Sequence, residues 1–258
     1  MKQHHSIDKH FDTSNLSQSV RVMGGQNVYG ASIGILMLDT QFPRIPGDIG
    51  NATTWPFPVH YKIVRGASVE KVVLQKSAGL LEPFIEAAEE LVAMGALGIT
   101  TSCGFLSLFQ KELSAAIKVP VATSSLMQVP MVQNLLPLDK KVGVLTVSAA
   151  ALTAEHLAAV GVSIETPIMG TDDGVEFSRV FIDNETSMNM HLIQQDMLAA
   201  GRALKAYCPE LGAVVLECTN MAPYANLLQR DLGVPVYSIY NLIHWFQSGL
   251  TPLVFPLA

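Results

Sequence analysis

The chain has 258 residues, 49% of them hydrophobic and only 15% charged, with a net charge of −6 and a mean hydropathy of +0.33. That composition excludes disorder for the bulk of the chain, and the scattered lysines and arginines exclude a basic face for nucleic acid or a polybasic membrane anchor. No apolar run reaches the ~18 residues of a membrane span, and three cysteines (Cys103, Cys208, Cys218) without a C-x-x-C pair point to neither a disulfide framework nor a structural zinc site.

Residues 1–29 read as a polar N-terminal tail. Its start, MKQHHSIDKHFDTSNLSQS, lacks the apolar stretch of a secretory signal, so a soluble, cytoplasmic protein is expected. His4, His5 and His10 within it are read as solvated side chains of a chain end. MGGQNVYG (23–30) contains glycines but precedes a strand instead of following one, the wrong context for a cofactor-phosphate loop, and no cofactor is expected.

SIGILML (32–38) is a short apolar run with the pattern of a buried strand. DTQFPRIPGDIGNATTWPFP follows, a long loop of four prolines, and ordered loops of that length are usually functional. VHYKIV is a second strand and LLEPFIEAAEELVAMG an amphipathic helix. ALGITTS, a helix opening after Cys103 (GFLSLFQKELSAAI) and VPVATS complete a first round. KVGVLTVS, a helix from about 150 to 160 and SIETPIM begin a second. It continues with a long helix from about 185 to 207, AVVLE, Cys218, the helix MAPYANLLQRDL and VPVYSI. Strands that are apolar throughout and separated by helices predict parallel sheets with right-handed crossovers. The expected fold is α/β with two pseudo-symmetric lobes, each a parallel sheet flanked by helices, and an active site in the cleft between them. The first lobe is placed at 30–125, with 236–258 returning to it, and the second at 126–235.

The two rounds repeat in detail. MGALGITTSCGFL and PELGAVVLECTNM each contain a glycine turn, an apolar strand, a cysteine and a helix start, and each leads to a VPV strand. Cys103 and Cys218 thus occupy equivalent corners at the carboxyl ends of parallel strands, where ligands bind in open sheets. Helix N-terminal N–H groups at such a corner favour a thiolate, so each sulfur is expected to be partly ionised near neutral pH. Facing each other across a cleft, one thiolate would remove the α-proton of a carboxylate held on those N–H groups, and the opposite thiol would return a proton to the other face. Cys208, in AYCPE at a helix end, reads as a small buried hydrophobe.

TTSCGFL, LECTNM and KVGVLTVS, spanning an arrangement from about residue 32 to 239, resemble the aspartate/glutamate racemase superfamily, the cofactor-independent two-cysteine racemases and their relatives. The resemblance implies a racemase or isomerase acting on a small carboxylic acid or amino acid, with Cys103 and Cys218 as the acid/base pair. It places Asp39 and Thr40 near a substrate amine, and Thr146 and Thr219 on its carboxylate. Ser102, Gly104, Phe105 and Asn220 would line the substrate. Asn220 stands where amino-acid racemases carry a histidine, and Gly104–Phe105 replaces Asn-Thr, which puts glutamate racemisation proper in doubt and admits a bulkier or less polar substrate. Arg44 would pair with a distal carboxylate or be a solvated loop residue; Glu217 reads as a structural acid, and Trp55 and Phe57 as cover for the cleft or packing of the loop. Relatives also racemise hydantoins, isomerise maleate through a covalent cysteine adduct, or decarboxylate arylmalonates with a single cysteine; having both cysteines disfavours the last. A carboxylate-binding protein without turnover is the alternative outside enzymology. Neither a nucleic-acid nor a membrane partner is expected, and relatives are often homodimers.

Overall fold

A strand buried on both faces has to be covered on both, and β1 (Ile33–Leu38) is the first of this kind. In a computed structural model, which describes residues 23–256, its side chains alternate between two cores. Leu36 and Leu38 pack with Phe84, Ala88 and Leu91 of helix α1 (Leu81–Ala93), whereas Ile33, Ile35 and Met37 pack with Ile239, Leu242 and Ile243 of helix α8 (Ile239–Leu250). The apolar run without polar alternation follows directly. The tail histidines His4, His5 and His10 lie outside the described residues.

Both sheets are parallel and four-stranded. The first runs β2 (Val59–Val64), β1, β3 (Gly98–Thr101), β4 (Val121–Ala122), with α2 (Gln110–Ala116) connecting its last two strands. The second runs β6 (Ile168–Gly170), β5 (Lys141–Thr146), β7 (Leu211–Leu216), β8 (Val236–Tyr237). Around it lie α3 (Gln128–Gln133), α4 (Ala154–Ala159), α5 (Phe177–Ile182), α6 (Met190–Tyr207) and α7 (Ala225–Leu232). The chain ends by sending α8 back to the first sheet. It comes so close that a Cβ on Gly98 of β3 would lie 2.5 Å from a Leu250 methyl and 2.7 Å from the Phe246 ring.

The expected elements are present, with shifted starts. Helix α4 begins at Ala154 because Thr153 and His156 form a reciprocal capping box, and α6 begins at Met190 because the Asn189 side chain accepts from the N–H groups of His191 and Leu192. The helices expected to open directly after Cys103 and Cys218 do not. Each cysteine is followed by six residues of 3-10 turn, Gly104–Phe109 and Thr219–Tyr224, and only then by α2 and α7. The repeat seen in the residues is therefore a repeat of structure: strand, cysteine, 3-10 turn, helix, two-residue strand. Among the described residues no helix is long and apolar enough to cross a membrane.

Ile243 is wholly buried between α8 and the first sheet. Ile243→Ala is expected to lower unfolding stability by about 2–5 kcal/mol with an unchanged denaturant slope, read by urea titration. A loss below about 1 kcal/mol would mean that α8 contributes little to that core.

Candidate active site

The two cysteine corners meet. Beyond β3, the N–H of Ser102 donates to the Leu36 carbonyl and its hydroxyl accepts from the N–H of Leu38, each at 2.9 Å, which locks the approach to Cys103. Beyond β7, the N–H of Glu217 donates to the Leu145 carbonyl at 2.7 Å before the chain turns at Cys218. The Thr219 hydroxyl then crosses to the first corner and donates to the Ser102 carbonyl at 2.7 Å, a buried bond that ties the two sheet ends together.

Cys103 and Cys218 line the same cavity, whose volume is about 30 Å³. Ser102, Phe105, Thr219, Asn220 and Glu217 share the lining around them, and Arg44 enters from the long proline-containing loop. The rest of the wall is hydrocarbon: Leu38, Phe42, Val69 and Val73 from the first lobe, Phe181 and Ile182 from α5 of the second. Phe42 and Phe181 meet edge to face across the lobes with centroids 4.9 Å apart.

Arg44 is fixed rather than solvated. It donates to Asp48 at 2.7 Å and to the Thr40 hydroxyl at 2.9 Å, and its guanidinium sits 4.6 Å over the Phe42 ring. Asp48 is buried and shared: it also accepts from the N–H of Gly50 at 2.8 Å and from the Asn220 side-chain amide at 2.6 Å. The Asn220 side-chain oxygen in turn accepts from the Cys218 thiol at 3.6 Å. A relay therefore runs from Thr40 through Arg44, Asp48 and Asn220 to Cys218. Asn220 cannot titrate where a histidine would, so it holds the thiol without competing for its proton.

Not every expected residue reaches the cavity. Asp39 is turned away, half exposed and 3.5 Å from Arg65, so no carboxylate from this position faces a substrate amine. Thr40 acts through Arg44 instead of lining the site. The Thr146 hydroxyl is committed to the Glu217 carboxyl at 2.7 Å, which takes it from the role of carboxylate donor. Gly104 lies behind the cavity, where a Cβ would come within 2.2 Å of the same carboxyl. Trp55 and Phe57 stack on each other and on Tyr240 and His244, packing the first lobe away from the site. Cys208 is buried in the core of the second lobe.

Electrostatics also departs from expectation. The corner does aim a backbone N–H at each sulfur, from Phe105 to Cys103 and from Asn220 to Cys218. Burial nevertheless pushes both thiols well above the ordinary cysteine range, and Glu217, where ionised, adds to the effect on each. The partial thiolate inferred from helix starts is overturned for two reasons: short 3-10 turns carry little dipole, and the loss of water outweighs what they do carry. Burial also pushes the Glu217 carboxyl up to about 8, against the opposing pull of the Thr146 hydrogen bond. Phe105 rests on a buried His156, which desolvation drives down to about 4 and so keeps neutral.

Asp48 and Glu217 are the functional candidates that the sequence left out. Asp48 had one legible sign, its i,i+4 spacing from Arg44 within the loop; Glu217 had none beyond adjacency to Cys218. Removing Asp48 strands Arg44 in a largely dry setting. Asp48→Ala is expected to cost about 3–5 kcal/mol in chemical denaturation, since it leaves a buried charge unpaired. A cost below about 1 kcal/mol would show that water, not Asp48, solvates Arg44.

No family model matches the chain. Among curated proteins it is similar to a dimethylsulfoniopropionate lyase of Durusdinium sp. clade D, 27% identical over 231 residues, which are 86% of this chain and 76% of that protein. It is also similar to dimethylsulfoniopropionate lyase 5 of Emiliania huxleyi, 27% identical over 233 residues covering 85% of this chain and 45% of the other. Lyase 3 of the same organism matches at 27% over 223 residues, 80% of this chain and 56% of that protein, so the chain spans about half the length of these two relatives. Among solved structures, allantoin racemase from Klebsiella pneumoniae superposes with a TM-score of 0.58 at 18% identity, covering 85% of this chain and 87% of that one. A cysteine-substituted arylmalonate decarboxylase in a sulfate-associated form gives 0.56 at 14% identity, with 84% and 92% covered. A glutamate racemase from Bacillus anthracis gives 0.55 at 15% identity, with 85% and 82% covered. The two parallel four-stranded sheets of this chain thus have the fold of these racemase and decarboxylase structures.

Proposed function

We propose that the chain is a cofactor-independent, cysteine-based enzyme that removes the α-proton of a small carboxylate, and that its substrate is dimethylsulfoniopropionate. The observation that carries this reading is the placement of Cys103 and Cys218, from separate lobes, on one closed and largely hydrocarbon cavity that also holds a fixed arginine. The reading keeps the proton abstraction expected from the residues and replaces stereochemical inversion by elimination. Sequence similarity to dimethylsulfoniopropionate lyases over most of the chain favours that replacement.

The wall chemistry supports it independently. An amino-acid substrate would bring an ammonium whose N–H donors need acceptors, and the carboxylate expected to meet it, Asp39, faces Arg65 instead. A dimethylsulfonium group has a positive charge and no donors. It is suited to the aliphatic and aromatic side chains of Phe42, Val69, Val73 and Phe181, where a cation near a ring gains about 0.5–2 kcal/mol. Arg44, although its charge is balanced by Asp48, lines the same cavity and offers guanidinium N–H donors to the carboxylate end.

The same substrate addresses the high resting affinity of both sulfurs for their protons. A cation entering a low-dielectric cavity favours the thiolate beside it, so the base forms when it is needed. The thiolate takes the α-proton; the electron pair of that C–H bond forms the α,β double bond; and the β carbon–sulfur bond breaks with its electrons leaving on sulfur. The products are acrylate, neutral dimethyl sulfide and a cysteine back in its protonated resting form, so the one proton released overall is the one the thiol gives up to water as the substrate enters. Carbanion character at the α-carbon is stabilised by the fixed charge and dipoles around the carboxylate. Elimination needs one base, and the second cysteine bounds the opposite side.

The repeated cysteine corner gives a second reading its own support. If the α-proton exchanges but no leaving group departs, the pair serves a two-base racemase or isomerase of a different small carboxylate. The assay is to incubate the protein with dimethylsulfoniopropionate in D₂O and follow dimethyl sulfide by gas chromatography and acrylate by NMR. Equal amounts of both products are expected, with the serine variant of whichever cysteine is the base, Cys103→Ser or Cys218→Ser, slower by about 100-fold or more and the other variant losing far less. Deuterium at the α-carbon without sulfide would move the assignment to the racemase reading, and undiminished turnover in both variants would end the cysteine mechanism.

A further inference from the structure

Glu217 is the cavity residue that the chemistry above leaves without a task. It is wholly buried, one residue before Cys218 and just past the end of β7, where its N–H still donates to the Leu145 carbonyl of β5. One carboxyl oxygen meets the Thr146 hydroxyl at 2.7 Å; the other has no hydrogen-bond partner among the described residues. Facing it is Gly104, the residue after Cys103, with so little space that a Cβ there would fall 2.2 Å from the unpartnered oxygen. The carboxyl is thus wedged between the end of β5 and the 3-10 turn of the first corner, and Glu217 lines the same cavity as both sulfurs.

An ionised carboxylate has about four acceptor sites, and here only one is used. Buried with a single hydrogen bond and no cation, the charged form is strongly disfavoured, whereas a protonated carboxyl can bond to Thr146 and leave a carbonyl oxygen bare at far lower cost. The groups facing it are Thr146 from β5, Cys103 and Gly104 from the first corner and Cys218 from its own. The nearest cation of the cavity, Arg44, is already neutralised by Asp48.

We infer that Glu217 is a positioning residue that works as a neutral carboxyl, wedging the two cysteine corners together without setting a negative charge beside either sulfur, and that its ionisation shuts the site down. This rests on the carbon-acid reading of the cavity. The raised affinity of Glu217 for its proton, with loss at about pH 8, agrees with it. Below that pH the wall is neutral. Above it the new charge holds protons on both thiols and repels an incoming carboxylate.

Two measurements on the full chain test this, one of them independent of turnover. Infrared difference spectra across a pH titration are expected to show a protonated-carboxyl band in the wild type that is absent from Glu217→Gln and disappears as pH rises through about 8. In Thr146→Val the band should persist to higher pH, because that hydrogen bond favours the ionised form. The kcat/KM for dimethylsulfoniopropionate should fall over the same range in the wild type. Glu217→Gln should keep neutral-pH turnover within roughly tenfold and lose the alkaline fall, while Glu217→Ala, which removes the wedge, should lose far more. A wild type without the band at neutral pH, or a glutamine variant with an unchanged alkaline fall, overturns the inference. Absence of sulfide release from the wild type overturns the lyase reading instead, and the band still decides the state of Glu217.

Discussion

The site depends on one buried hydrogen bond, from the Thr219 hydroxyl to the Ser102 carbonyl, which joins the ends of two separate sheets. Each sheet by itself is an ordinary parallel arrangement whose strands end in loops, and a strand end exposes carbonyl and N–H groups that lack ladder partners. Here each end provides for the other. Ser102 offers a carbonyl, Thr219 supplies the donor, and the Ser125 hydroxyl approaches the carbonyls of Leu216 and Glu217 from the far side. Because the residues so tied are immediate neighbours of Cys103 and Cys218, satisfying the backbone and bringing the sulfurs to one cavity are the same event.

Dryness is the second consequence of that seam. The corners exclude water, so every ionisable group beside them shifts toward its neutral form: the thiols rise, Glu217 rises and His156 falls. Arg44 and Asp48 are paired with each other. A cavity of this kind is poor at holding an isolated base and well suited to one created by the charge of its own ligand. This orders the candidate substrates: a cation that needs no hydrogen bonds costs least to bring in, and an ammonium costs more, since its donors would go unmet along the hydrocarbon wall.

The architecture was legible because its signals are local and repeated. Uniformly apolar strands declare cover on both faces, as the alternation of Leu36 and Leu38 with Ile35 and Met37 between two cores bears out. The twin strand-cysteine segments declare equivalent corners. What the residues could not convey is depth. A thiol at an exposed helix start and a thiol packed under a second lobe look identical in one dimension, yet their affinities for protons move in opposite directions. Nor is direction legible at a bend: Glu217 and Cys218 are adjacent, and strand alternation would send them to opposite faces, but the chain turns there and both line the cavity. The partners of Thr146 and Asp39 were illegible for a related reason, since Glu217 and Arg65 are brought up to them only in the packed structure.

The cavity is only about 30 Å³, small beside a carboxylate with a side group, and Cys103 on its wall stays partly exposed, so a ligand that reaches both sulfurs is expected to widen it. The contacts around the seam differ in a way that says where parting is easy. On one side lie the two places where the chain crosses between lobes, after β4 and after β8. There the buried Gln128 side chain donates to the Ser238 carbonyl at 2.9 Å and the Ser125 hydroxyl meets the end of β7. On the other side the lobes touch through exposed groups: the N–H of Gln41 to the Asn184 side chain at 2.8 Å, and Lys76 to Glu155 at 2.8 Å. Exposed pairs of that kind contribute about 0–1 kcal/mol each, because water replaces them readily, whereas the buried bonds have no such substitute. Rotation about the crossover side therefore breaks the cheaper contacts first and separates Phe42, Val69 and Val73 from Phe181 and Ile182, the hydrocarbon surfaces that close the cavity. The closed form is then favoured chiefly by reburying those side chains, and a ligand that fills the space between them, bringing methyl groups of its own, restores that burial as the lobes come together.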